Sequence, residues 1–252
     1  MRRQPRSADF PSPLFRLFPR VVYPDFTVPV YFERRPTPRN RAWRLLLGTL
    51  VWNYDLVTVE RVVEIPWVFQ NLGLSPGARI LDFGCSQSPM ALHLASLGYH
   101  VVGVDLRPYD FAHPNLRVVQ GDFLEGGFAE GEFDAVVAIS AIEHTGLAAY
   151  GEPPRERADH RIVAEFGRVL RAGGRLLLTV PYGQQGQTSW YRVYDRESLA
   201  TLLAPFTITK IDYYVGVGRT AWHPVTEEEV ARVDSVTSAR THGIVCVRAV
   251  KA

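Results

Sequence analysis

Apolar and polar positions divide this 252-residue chain into two stretches of different character. From residue 78 onward, short apolar runs alternate with amphipathic segments. ARILDF (78–83), HVVGVDL (100–106), LRVVQ (116–120), FDAVVAIS (133–140) and RLLLTVP (175–181) read as buried strands. Ser88 can N-cap a helix with Pro89 at its first position, and Gly98 sits where that helix must stop. DHRIVAEFGRVLRAGG (159–174) predicts an amphipathic helix with a glycine stop, and Asp195 can cap a helix running to Ala204. FTITKIDYYV (206–215) and GIVCVRAV (243–250) predict two final strands with only a loop, 216–242, between them. Such a pair is antiparallel and belongs at the sheet edge. The pattern predicts an α/β fold: a doubly wound, mostly parallel, seven-stranded sheet with an antiparallel edge strand.

Upstream the pattern changes. In TVERVVEIPWVFQNLGL, Val59, Val62, Val63, Val68 and Leu72 recur at helical spacing, with Pro66 as a kink. Residues 1–40 are rich in Pro and Arg and fit neither regular helix nor central strand. The expected division is an arm and helical extension over 1–75 and a single α/β domain over 76–252.

Charge refines this picture. Overall it is nearly balanced at +2, yet residues 1–44 hold ten Arg against three acids. A basic arm can touch a polyanion or another subunit, or simply stay solvated. Two cysteines, Cys85 and Cys246, give no disulfide framework and fit a reducing cytoplasm. The N-terminus lacks the apolar core of a signal peptide, and LLLGTLVW (45–52) is too short to span a bilayer.

The candidate chemistry begins at LDFGCSQSPM (81–90). A dinucleotide turn needs G-x-G-x-x-G, so that backbone can approach a pyrophosphate. Here Gly84 is present, but Ser86 and Ser88 stand where glycines usually sit, and Pro89 follows. Acids point the same way. Asp82, Asp105 and Asp122 end or follow the first three strands of the alternating region. Three carboxylates at one mouth repel a pyrophosphate and suit a ligand with an ammonium, a sulfonium and a ribose diol. S-Adenosylmethionine (SAM) carries all three and no phosphate.

Residues 79–180 resemble the class I SAM-dependent methyltransferases. LDFGCSQS is similar to their first motif, VVGVDL to the acidic ribose motif and QGDF to the adenine motif. FDAVVAISAIEH and LRAGGRLLLTVP are similar to the strand-four and strand-five motifs. SLGYHVVGVDLRPY and IEHTGLAAYG are similar to a bacterial subgroup of mostly uncharacterised enzymes. The resemblance implies that SAM is the cofactor. Asp82 would support the turn and the methionine ammonium, and Gly84, Cys85 and Ser86 would lie along the methionine. Asp105 would accept the ribose hydroxyls, with Leu106 beside it. Asp122 and Phe123 would take the adenine, while Ser140 and Ala141 would flank the ammonium and sulfonium.

An oxygen or nitrogen acceptor needs a base within hydrogen-bond reach. His144 and its neighbour Glu143, just after strand four, are the candidates; the alternative for His144 is a side chain that only shapes the pocket or bonds a backbone group. Asp159 and His160 form a weaker pair, and the four match no compact metal motif. The stretch PYGQQGQTSWYRVYD (181–195) is longer than ordinary connections, and its Trp190, Tyr191, Arg192 and Tyr194 are expected to bind the acceptor, the alternative being that the aromatics anchor the loop to the fold. The absence of N-P-P-Y after strand four speaks against base methylation in nucleic acid. The reading is methyl transfer to a small molecule or glycan, at oxygen. Alternatives are an RNA or protein methyltransferase using the basic arm, and an inactive SAM-binding scaffold. Oligomeric state is open.

Overall fold

The computed structural model describes residues 30–35, 53–86, 88–218, 221–238 and 241–251. Two N-terminal strands, β1 (Val30–Arg35) and β2 (Asn53–Thr58), pair as an antiparallel ribbon. The remainder of the basic arm, with its expected polyanion or subunit contact, lies outside the described residues.

A helix α1 (Arg61–Leu72) leads into β3 (Arg79–Phe83), α2 (Met90–Ser96), β4 (His100–Asp105), β5 (Leu116–Gln120) and β6 (Phe133–Ile139). Then come α3 (Ala158–Val169), β7 (Leu170–Pro181) and a small ribbon of β8 (Gly186–Gln187) with β9 (Arg192–Val193). The chain closes with α4 (Arg196–Leu202), β10 (Phe206–Val217), β11 (Ala221–Val225), α5 (Glu227–Val230) and β12 (Thr241–Lys251).

Eight strands form the main sheet in the order β11-β10-β12-β7-β6-β3-β4-β5. From β7 to β5 every pairing is parallel, and β12 runs antiparallel to both β7 and β10. The expected antiparallel strand is therefore present but inserted between β7 and β10. The edge is an additional strand, β11, inside the stretch expected to be loop. Its Pro224 cannot donate to a ladder, which fits an edge.

Alternate residues of the buried strands face opposite layers. Ile80, Val137 and Leu177 pack with Trp67, Val68 and Leu72 of α1 and Met90 and Leu94 of α2. Leu81, Val136 and Leu178 pack on the other face with Val163 and Phe166 of α3 and Leu199 of α4. Each fully buried large side chain contributes about 1.5–3 kcal/mol, so both layers are strongly held. α1 is tied down further. Trp67 Nε1 donates to Asp212 Oδ2 at 2.6 Å, and Arg175 donates to the carbonyls of Leu72 and Gly73 at the helix end.

Two expected boundaries move. α3 ends at Val169, because Leu170 is extended (ψ 138°), fully buried and paired opposite Phe133. The glycines at 173–174 turn the chain inside the strand segment instead of ending the helix. In α1 the buried face carries Arg61, Glu64, Trp67, Val68, Asn71 and Leu72, while Val62 is exposed. Two charged residues thus occupy core-facing helix positions: Arg61 lines the cavity described below, and Glu64 accepts from Ser140.

Candidate active site

The parallel strands end at one rim of the sheet, where a cavity of about 580 Å³ opens. That volume suits a small organic ligand. It is lined by Asp105, Leu106, Asp122 and Phe123, by Gly84, Ser140 and Ala141, and by Trp190, Trp222 and His242.

The turn after β3 explains which glycine was kept. Gly84 has φ +74°, and a Cβ there would lie 2.6 Å from Ala141 Cβ. No other residue fits both the conformation and the contact. Ser86 needs neither. Its N–H donates to Asp105 Oδ2 at 2.9 Å and its hydroxyl to the Pro108 carbonyl at 3.0 Å. Ser88 Oγ accepts from Met90 N–H at the start of α2 (3.2 Å). Cys85 turns inward against Gly103, fully buried, and burial raises its thiol pKa. Its side chain does not line the cavity.

Asp82 is also behind the wall. Burial, reinforced by the charge of Asp105, pushes its carboxyl up to about 8. Its side chain is not among those that line the cavity, and its Oδ2 has no hydrogen-bond partner among the described residues. Asp105 and Asp122 do line the cavity. Asp105 accepts from Arg107 through Nε at 3.1 Å and Nη2 at 3.2 Å. Asp122 Oδ1 accepts from Leu124 N–H at 3.0 Å, and Oδ2 binds Arg155 at 2.5 Å. Phe123 is held edge-on to Phe83 with ring centroids 5.5 Å apart, which fixes the backbone beside Asp122.

Beyond β6, Ser140 adopts φ +40°, an uncommon conformation for a residue with a Cβ. Its N–H donates to the Thr179 carbonyl, and its hydroxyl donates to Glu64 Oε1 at 2.6 Å. Glu64 also accepts from Thr179 Oγ1 (2.7 Å) and from Arg61. Helix α1 thereby reaches the middle of the site, which the sequence reading missed.

The next turn presents Glu143 and His144. His144 Nδ1 lies 2.6 Å from the Trp190 carbonyl. A carbonyl only accepts, so Nδ1 carries the proton and Nε2 keeps its lone pair. Burial lowers the His144 pKa, favouring the neutral ring. Nε2 is 3.7 Å from Glu143 Oε1. Glu143 is buried, and desolvation holds its pKa well above the ordinary carboxylate range. His144, Tyr150 and Trp190 form an edge-to-face trio with centroids 5.0–5.7 Å apart.

The acceptor-loop residues divide. Trp190 and Tyr191 line the cavity, with the Tyr191 hydroxyl donating to the Ser235 carbonyl at 2.7 Å. Arg192 and Tyr194, expected on the acceptor, turn away. Arg192 donates to the carbonyls of Thr145 (2.7 Å) and Glu143 (3.4 Å), and the buried Tyr194 hydroxyl donates to Asp159 Oδ2 at 2.9 Å. They brace the loop against the turn after β6. Asp159 is thus a buried partner rather than a helix cap. Trp222 and His242 replace them on the cavity wall.

Comparison with known proteins accords with this geometry. Residues 81–178 match the family model described as "Methyltransferase domain". An uncharacterised methyltransferase of Synechocystis sp. is 32% identical over 137 residues, 49% of this chain and 59% of that protein. A sterol 24-C-methyltransferase of Gibberella zeae is 31% identical over 120 residues, 43% of this chain and 29% of that protein. The matched region therefore spans less than two thirds of either relative. Among solved structures, Haemonchus contortus phosphoethanolamine N-methyltransferase 2, bound to S-adenosyl-L-methionine, aligns with TM-score 0.53 at 17% identity. That alignment covers 74% of this chain and 52% of the other, and it speaks to fold. Residues 81–178 of this chain thus match a methyltransferase-domain model, and the chain shares its fold with the SAM-bound Haemonchus contortus enzyme.

Proposed function

We propose that the protein transfers a methyl group from SAM to an oxygen of a small-molecule or glycan acceptor. The observation that carries this reading is the His144 tautomer. With Nδ1–H tied to the Trp190 carbonyl, His144 lines the cavity and keeps a basic lone pair on Nε2. The acceptor oxygen attacks the methyl carbon, the carbon–sulfur bond breaks, and sulfur keeps the electron pair as a thioether. The acceptor's proton passes to Nε2. In-line displacement otherwise needs only alignment.

In this reading Asp105 accepts the ribose hydroxyls, Leu106 lies against the purine, and Asp122 with the Phe123 backbone takes the adenine edge. Ser140 and Ala141 flank the sulfonium. Trp190, Tyr191 and Trp222 wall the acceptor end, where a sugar or phenol ring can stack. The test is His144→Ala. Turnover should fall about 10²–10⁴-fold with SAM affinity nearly unchanged. A variant that keeps most of its turnover returns His144 to a shaping role.

A further inference from the structure

Charge is unevenly distributed around the cavity. Among the described residues that line it, every Asp, Glu and Arg lies between Glu60 and Arg155. The lining contributed by the chain beyond residue 155 carries no Asp, Glu, Lys or Arg. Its centre is Trp222 on the edge strand. Trp222 pairs with Gly216 of β10, which pairs on its other side with His242 of β12, so the three occupy one row of the sheet. A Cβ at Gly216 would stand 2.7 Å from Cε2 and Cζ2 of Trp222, so the glycine leaves the seat on which the indole lies. Ile244, two residues beyond His242, faces the same side and pairs with Pro181 of β7. The hydroxyls of this wall are engaged inside the protein. Tyr191 donates to the Ser235 carbonyl at 2.7 Å, and Ser235 Oγ accepts from Gly243 N–H at 3.1 Å. Arg192, the one cation of the 181–195 loop, is held by the carbonyls of Thr145 and Glu143. Partial burial lowers the His242 pKa and so favours its neutral ring.

A glycan brings many hydroxyls, most of which would lose water at this wall without gaining a partner. An acidic acceptor would find no cation on it. A flat apolar ring needs neither and gains stacking on the indoles. The base narrows the choice again. A neutral imidazole whose pKa is lowered by burial takes a proton most readily from an acidic hydroxyl. A phenol, with pKa about 10, is far closer to it than an aliphatic hydroxyl, which lies near the value of bulk water at about 15.7. We propose that the acceptor is an uncharged phenol held against Trp190 and Trp222, and that Trp222 on its Gly216 seat sets which ring fits. This rests on the methyl-transfer reading above and narrows its acceptor. The Trp190 ring lies 5.4 Å from that of His144, so a ring held on this wall brings its hydroxyl toward the base. The phenol oxygen bonds to the methyl carbon, sulfur keeps the electron pair of the broken bond, and the phenol proton passes to His144 Nε2.

The experiment is calorimetry with 2-naphthol, 2-naphthoate and methyl glucoside on the wild type, with and without saturating S-adenosylhomocysteine. 2-Naphthol should bind, and the naphthoate and the glucoside should each bind at least about tenfold more weakly. No detectable naphthol binding, or a naphthoate or glucoside bound as tightly, overturns the proposal. Trp222→Ala should weaken naphthol about tenfold. Gly216→Ala, which pushes the indole off its seat, should weaken it several-fold, with S-adenosylhomocysteine within about twofold of wild type in both variants. Unchanged naphthol binding in a folded Trp222→Ala protein also overturns the proposal. The three ligands on the wild type decide the acceptor class even where a variant fails to fold. A wild type that binds naphthol but not S-adenosylhomocysteine rejects the SAM reading and leaves the aromatic wall standing.

Discussion

Arg107 grips Asp105 as a fork, Nε 3.1 Å from Oδ1 and Nη2 3.2 Å from Oδ2. Two parallel N–H donors on a carboxylate mimic the two hydroxyls of a ribose. The guanidinium also lies 4.0 Å over the Tyr150 ring, so it is held from both sides. A diol must displace it to reach Asp105. Arg107→Ala should therefore tighten S-adenosylhomocysteine binding several-fold, about the 1 kcal/mol of one partly exposed ion pair. Asp105→Ala should do the opposite and weaken it by about 1.5–3 kcal/mol. Calorimetry on the two variants checks both signs; a weaker Arg107→Ala would mean that the arginine belongs to the bound state.

The pH–rate profile follows from the same cavity. Burial lowers the His144 pKa below its ordinary 6.5, and the base works only when deprotonated. Activity should hold through neutrality and fall on acidification along a limb lying below the ordinary histidine value. Profiles of kcat/KM measure this. A limb above 6.5 contradicts the buried neutral ring.

Asp82 sets a stability trend. Its folded pKa of about 8 exceeds its ordinary 3.8, so the folded chain keeps a proton that the unfolded chain has lost. That contribution is complete below the lower value and is lost progressively as pH rises toward the upper. Denaturant midpoints should thus fall more between about pH 5 and 8 for the wild type than for Asp82→Asn. Glu60 and Glu143 shift in the same direction but are present in both proteins. Equal falls would show that Asp82 is already ionised when folded.

The bracing of the acceptor loop predicts a different signature. Tyr194→Phe leaves Asp159 Oδ2 without its hydroxyl donor and should cost about 1–3 kcal/mol. Arg192→Ala should also lower the melting temperature. Neither should change donor affinity at saturating folded protein, which separates them from Trp190→Ala, expected to raise the acceptor KM. Loss of acceptor binding without loss of stability in Tyr194→Phe would put that residue back in the site.

Most of the sheet was legible because its strands are short apolar runs bounded by turn residues, a pattern set by burial on both faces. Asp105, Asp122 and Ser140 were legible because strand ends locate the rim. What escaped were interactions that cross the chain. Nothing local in LRAGG says that Leu170 must pair with Phe133. The apolar spacing of Val59, Val62, Val63, Val68 and Leu72 does not disclose that Arg61 and Glu64 face inward beside Trp67. Arg192 resembles a ligand-binding arginine, and only the carbonyls of Glu143 and Thr145 disclose its partner. One missed element did carry a signal: Thr226 and Glu229 form a capping box, readable as T-x-x-E, at the head of α5.

The contact between Gly84 and Ala141 reaches beyond this chain. Cβ crowding at 2.6 Å couples two positions 57 residues apart, so neither can enlarge unless the strand ends separate. The glycines absent at 86 and 88 face no such neighbour. Among related sequences, residue 84 should then be invariant in step with a small residue at 141, while 86 and 88 drift. A search pattern demanding a full glycine-rich turn would pass over such proteins. One built on a single glycine paired with a small residue across the sheet would recover them.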